Sequence, residues 1–299
     1  EIENNNGFTS DIAIGKVSGN LTFSLENEIV SDNYDGNHFG FLRFNNTVES
    51  NADISYNIYD PFGRFNKGGA SFYINYLSLY NTGAFADFGF GMNGFLITKK
   101  FNAYGGGFGL EPIRNHNYFE IDIPGIYYLE PKNYRFNAWY SSDYSKVFAV
   151  DISVRYRFYS KSDQINYRIR FAPRVRVNNK LGFVLELFNS TTDNDVGLVD
   201  FVDNGDQLEP IMGMRDRKTF ESIFNIKYTF TNVMGLNFRL RHYWAKVVYN
   251  QYYSLNDDGT LGFSDYNPLD DDGNDRNNIN FNAFNIDMVY NWVFLPGSE

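Results

Sequence analysis

The sequence predicts an all-β fold, an antiparallel up-and-down transmembrane β-barrel of outer-membrane type, on three observations. Apolar and polar residues alternate one by one through long stretches, no apolar run approaches the roughly 18 residues of a membrane helix, and tight connections alternate with long polar ones. Residues 1–299 read as a single barrel domain, an incomplete part of a larger barrel.

Taken along the chain, each segment carries the same period. Leu21, Phe23 and Leu25 oppose Thr22, Ser24 and Glu26, and Ala52, Ile54, Tyr56 and Ile58 oppose Asn51, Asp53, Ser55 and Asn57. Over 148–158, Phe148, Val150, Ile152, Val154, Tyr156 and Phe158 alternate with Ala149, Asp151, Ser153, Arg155 and Arg157. In 164–177, Ile165, Tyr167, Ile169, Phe171, Val175 and Val177 alternate with Asn166, Arg168, Arg170, Arg174 and Arg176. Leu181, Phe183, Leu185 and Leu187 continue the pattern, then Phe220, Phe224, Ile226, Tyr228 and Phe230 against Glu221, Asn225 and Lys227. Leu236, Phe238 and Leu240 oppose Asn237, Arg239 and Arg241, and Phe284, Ile286, Met288, Tyr290, Trp292 and Phe294 oppose Asn285, Asp287 and Asn291. A helix of period 3.6 would scatter these arginines around its apolar stripe, so the period is that of strands.

Roughly thirteen strands of about 9 to 19 residues emerge, long against the usual 5 to 6 of soluble sheets but suited to an oblique bilayer crossing. Tight turns fall at Ser18-Gly19-Asn20, Thr98-Lys99-Lys100, 142–145, Asn178-Asn179 and Thr231-Asn232-Val233; long polar loops are expected near 31–46, 112–131, 191–217 and 254–280. Because thirteen is odd and Pro296-Gly297 reads as a turn into another strand, at least one further C-terminal strand and others before Glu1 are expected.

The energetics assign the faces. An arginine facing lipid costs about 2–4 kcal/mol near the midplane, and six of them would exceed the roughly 5–15 kcal/mol net stability of an ordinary domain. The charged set therefore faces a wet interior: Glu26, Glu28, Glu49, Asp53, Arg155, Arg157, Arg168, Arg170, Arg174, Arg176, Lys227, Arg239 and Arg241. Acidic members come early and basic ones late, so opposed walls would set a transverse field across the lumen. The competing reading is that these charges pair with one another or with a plug. For the fold itself the alternative is a soluble sandwich or propeller whose apolar faces meet.

A net charge of −10 argues against nucleic acid as partner, and the absence of cysteine removes disulfides, thiolate metal sites and cysteine nucleophiles. No metal-ligand spacing joins His38, His116 and His242, and His242 beside Trp244 reads as an interfacial histidine among aromatics. The acidic runs 256–259 and 270–275 depart from the EF-hand template and read as solvated turns. The glycines of AYGGGFG (103–109) lack a phosphate-binding lysine and read as close packing or a sheet bend. No catalytic residue, cofactor or metal is assigned.

The runs MRDRKTFES (214–222), LRHYW (240–244), INFNAFNIDMVYNWVFLPGSE (279–299), GFLRFNN (40–46) and PGIYYLEPKNYRFNAWYSSDYSK (124–146) carry a resemblance over nearly the whole chain. Together they resemble the C-terminal outer-membrane β-barrel domain of unknown function that usually follows a family-9-like carbohydrate-binding module in large Gram-negative outer-membrane proteins. The resemblance implies an outer-membrane location, the lipid bilayer as partner, and glycans reached through an N-terminal module that these residues do not include. Three functions stay open: a pore or transport barrel with a charged lumen, a structural or interaction barrel displaying a binding module and loops, and a surface hydrolase by family association alone.

Overall fold

The computed structural model describes residues 6–35, 44–121, 123–203, 205 and 208–294. The elements are β1 (Thr9–Lys16), β2 (Leu21–Val30), β3 (Thr47–Ile58), β4 (Phe65–Leu79), β5 (Phe85–Thr98), β6 (Ala103–Glu111), β7 (Asn115–Asn117), β8 (Tyr128–Glu130), β9 (Asn133–Ser141) and β10 (Phe148–Tyr159). They continue as β11 (Ile165–Arg176), β12 (Leu181–Asp203), β13 (Leu208–Thr231), β14 (Met234–Leu255), β15 (Leu261–Phe263) and β16 (Ile279–Trp292). Among the described residues, no helix is long and apolar enough to cross a membrane.

Fourteen strands form one antiparallel sheet in which each strand pairs with the next in the chain, except that β6 pairs β9 across the small β7–β8 hairpin and that β15 and β16 both pair β14. Because β15 and β16 share one flank of β14, the sheet is thirteen strands wide. The up-and-down order follows from the turns. Gly19 takes a left-handed φ of 88° between β1 and β2, which a glycine adopts without a Cβ clash. Between β11 and β12, Asn178 Oδ1 accepts from the amides of Lys180 and Leu181 at 2.8 and 2.9 Å, an Asx turn.

No closed barrel is found: the ladder ends at β1 and β16, each of which pairs a strand on one side only among the described residues. One expectation needs correction. The stretch 191–217 is not a polar loop; most of it extends β12 and β13 into a hairpin, the register shifting by one residue at bulges between Thr192 and Asp195 and between Leu198 and Asp200. The polarity that suggests a loop belongs to strands that outrun the apolar band. Connections 80–84 and 160–164 are also short although they lie at the long-loop end. Pro296-Gly297, His38 and residues 40–43 lie outside the described residues.

The register divides the sheet into two faces. On one, rows such as Phe23–Ile54–Phe72–Met92–Phe108–Phe136–Tyr156 run strand to strand. Across the later strands Phe171–Leu187 and Phe224–Leu240–Ile286 continue it. Among the described residues no second layer covers this face, so Phe136 remains 45% and Ile169 42% exposed although both sit on interior strands. The core in the ordinary sense is small: Ile121, Tyr128 and Met212, where the β6–β9 connection meets the β12–β14 extensions.

Candidate functional site: the polar face and its loop cap

Every charged residue assigned to the interior lies on the face opposite the apolar rows. Cross-strand partners link them: Glu28 with Glu49, Arg155 with Arg168, and Arg176 through Gly182 to Lys227. Ser24 stands opposite Asp53, Glu26 opposite Asn51, and Asn225 opposite Arg239. Of the assigned charges the acidic ones sit on β2 and β3 and the basic ones on β10 to β14, but Asp151, Glu186 and Glu221 stand among the basic ones on the same face.

Pairing and free charge coexist within the basic group. Arg170 meets Glu186 at 2.7 Å, Arg174 meets Asp151 at 2.9 Å and lies 3.8 Å over the Tyr144 ring, and Arg241 meets Glu221 at 2.5 Å. Arg157 reaches the Tyr159 hydroxyl at 3.4 Å, and Arg176 donates to the Tyr144 carbonyl at 3.4 Å. Asp151 is saturated, accepting also from Ser141 at 2.6 Å and Tyr144 at 2.5 Å. Arg155, Arg168, Lys227 and Arg239 have no carboxylate within ion-pair distance among the described residues. Like charges opposite each other, as at Arg155–Arg168 and Glu28–Glu49, cost stability, and only water or a ligand offsets that cost. At the tight-turn end, Arg174, Arg176, Lys180, Lys227 and Arg239 line an open cavity of about 1080 Å³ with Asp287 as a lone carboxylate.

A buried polar network, which the sequence reading missed, lies toward the long-loop end. Asn115 donates through Nδ2 to Asp87 and, at 2.9 Å, to Glu111. Glu111 also accepts from Asn133 and pairs with Arg135 at 2.9 Å, while Asn75 donates to Asp87 at 2.7 Å. Glycines make room: side chains at Gly89 and Gly109 would crowd Asn75 and Arg135 at 3.0 and 3.2–3.6 Å. Gly89 and Gly91 of β5 and Gly105, Gly107 and Gly109 of β6, in the polar phase, were the available signal, and they serve close packing.

Residues 112–121 and 123–132 cross from the β6–β9 pair to the β12–β14 extensions. Asn117 Oδ1 accepts from the amides of Phe119 and Glu120, turning the chain, and Glu120 then accepts from the Leu198 amide at 3.0 Å and approaches Arg215 at 4.0 Å. Other long connections meet it: Phe44 packs on Phe119 with centroids 4.5 Å apart, and the Leu129 amide donates to the Gly259 carbonyl at 2.8 Å. Burial, together with Glu111 and Asp87 nearby, pushes the Glu130 carboxyl above its ordinary range against the opposing hydrogen bond from Asn117 at 2.6 Å. Burial and Arg114 lower the His116 imidazole, which stacks on Tyr127 at 4.3 Å.

Neither described histidine has a catalytic partner: His242 bonds Asn282 at 2.9 Å on the apolar face, beside the Trp244–Asn280 bond. The acidic turns use their carboxylates internally, Asp258 accepting from Thr260 and Asp270 from the amides of Asp272 and Asn274.

These features define an all-β antiparallel sheet protein with one apolar face and one charged face under a loop cap. The chain belongs to the family described as Domain of unknown function (DUF5916), whose model matches residues 1–299. No curated protein matches it.

Proposed function

We propose that this chain is an outer-membrane β-barrel segment of a glycan-associated surface protein, acting as a pore or transport barrel with a charged lumen. The observation that carries the reading is the uncovered apolar face on interior strands, a patch far larger than monomeric soluble proteins expose. Its height supports the same reading. Outward Trp292 lies beside Met234, about ten residues along β14 from outward Trp244, or about 33 Å of strand. A tilt of about 40° brings that to about 25 Å, the apolar band of outer-membrane barrels, with a tryptophan at each rim. In hydrocarbon the edges of β1 and β16 need partners, so closure joins them to each other or to further strands. The polar face then lines the lumen, with Arg155 and Arg168 free to act on passing anions.

The test is ion selectivity of the full-length protein in planar bilayers. Anion preference in a salt gradient is expected, with the reversal potential shifting toward cations in the Arg155→Glu/Arg168→Glu variant. A sealed bilayer for both proteins would remove the pore. A second reading, an interaction barrel displaying its loops, is favoured by the ordered convergence of Phe44, 112–121, 123–132 and Gly259; loss of glycan or cell-surface capture after loop deletion, with conductance intact, would select it.

A further inference from the structure

Beside Arg155, which stands opposite Asn137, the polar face has a cleft over β3 to β9 whose own lining holds no ionic residue. It measures about 270 Å³, and its polar lining is Ser55, Asn57, Ser71, Asn93, Asn137 and Trp139. These residues fall in two adjacent cross-strand rows, Asn57–Gly69–Phe95–Gly105–Trp139 and Ser55–Ser71–Asn93–Gly107–Asn137. Glycine in the middle of each row is a spatial requirement. A methyl at Gly105 would sit 2.8 Å from the Trp139 indole, which therefore lies across that strand, and the amides of Asn93 and Asn137 occupy the space above Gly107.

Hydrogen bonding sets this cleft apart. The asparagines a few residues away, Asn75, Asn115 and Asn133, all bond carboxylates, and the outward Trp244 bonds Asn280. None of the side chains of Ser55, Asn57, Ser71, Asn93, Asn137 and Trp139 bonds another described residue. A tryptophan directed to the wet face gives up apolar burial, and three amides and two hydroxyls beside it face the same small volume with no ionic group in the lining.

We propose that this cleft binds one neutral pyranose ring, free or at the end of an oligosaccharide. A pyranose has the matching chemistry: a flat patch of C–H groups to lie on the indole, and a rim of hydroxyls that both donate and accept, as the amides of Asn57, Asn93 and Asn137 do. Charged solutes have no counter-ion among the lining residues. Its small volume limits it to a single ring. The inference rests on the polar face being wet, as the barrel reading has it, and does not require that the barrel conduct.

The experiment uses the full-length protein in detergent carrying Trp244→Phe and Trp292→Phe, which leaves Trp139 as the only tryptophan within these residues. Glucose, galactose, mannose and N-acetylglucosamine are titrated while tryptophan emission is followed, with glycerol as the hydroxyl control. A saturable change with at least one sugar and none with glycerol is expected. Adding Asn93→Ala or Asn137→Ala should weaken that binding about tenfold each. Since these amides bond nothing among the described residues, the variants are expected to keep the folded gel mobility of the parent. Absence of saturation with all four sugars overturns the proposal, and so does saturation that both asparagine variants leave unchanged. Conductance is recorded separately, so a protein that binds sugar without conducting loses only the pore.

Discussion

Asn115 holds apart two carboxylates, Asp87 and Glu111, by donating to both. Asn115→Ala leaves these acids facing a void without their shared donor, and the loss should be about 1–3 kcal/mol, read from the denaturant midpoint in micelles. An unchanged midpoint would mean that water replaces the amide without cost. Glu130 gives a pH signature. Its folded pKa lies above the ordinary value, so the loop is most stable where the acid is protonated and loses stability as pH rises from the ordinary glutamate range through the raised value. Amide exchange over 115–130, corrected for intrinsic rate, should therefore accelerate across that window and flatten in Glu130→Gln. His116, lowered by burial, acts with the opposite sign, gaining stability as pH rises through its own range. An identical profile in Glu130→Gln would assign the whole dependence to other groups.

At the scale of elements, β13 carries the contrast between faces in neighbouring residues. Phe224 lies in the row with Leu185 and Leu240, whereas Asn225 lies between Val184 and Arg239 on the charged face. Phe224→Arg should cost about 2–4 kcal/mol in a bilayer while Asn225→Arg, set opposite Arg239, costs less than about 1 kcal/mol, the like-charge penalty alone, measured by reversible unfolding from lipid vesicles. Equal costs would sink the assignment of lipid to the Phe224 side. Strand β10 was readable in the sequence because Arg155 and Arg157 recur at every second residue between Val154, Tyr156 and Phe158. Strand β9 was harder, since Trp139 occupies the polar phase set by Arg135 and Asn137, and a large aromatic there breaks the pattern that identifies strands. The hairpin of β12 and β13 beyond Thr192 was misread for a related reason. There Val196, Leu198, Phe201 and Met212 pack under the loop cap and two bulges shift the register, so strict alternation is broken although the ladder continues.

For the whole molecule, the three tryptophans make a ruler. If the apolar face meets lipid, bromine-labelled acyl chains should quench single-tryptophan variants that retain Trp244 or Trp292 and spare one that retains Trp139. Quenching of Trp139, or none of the outward pair, would mean that the faces are reversed or that another layer of protein covers them. The loop cap belongs to this scale too. Ile121 and Met212, and Phe44 and Phe119, join segments far apart in sequence. Contacts of this kind depend on how the connections fold over the sheet, which local periodicity does not encode.

The sequence by itself determined the antiparallel strands, the partition of Arg155, Arg168 and Glu49 from Phe148, Ile152 and Leu185, and the tight turns at one end. Each of these follows from chemistry between residues one or two apart. Only the tertiary structure decided which charges are neutralised, Arg170 by Glu186 and Arg241 by Glu221, and which stand free, because that depends on register between strands. It also decided that glycines on β6 open a neutral cleft beneath Trp139, since the space above a glycine is set by the side chains of the strands on either side.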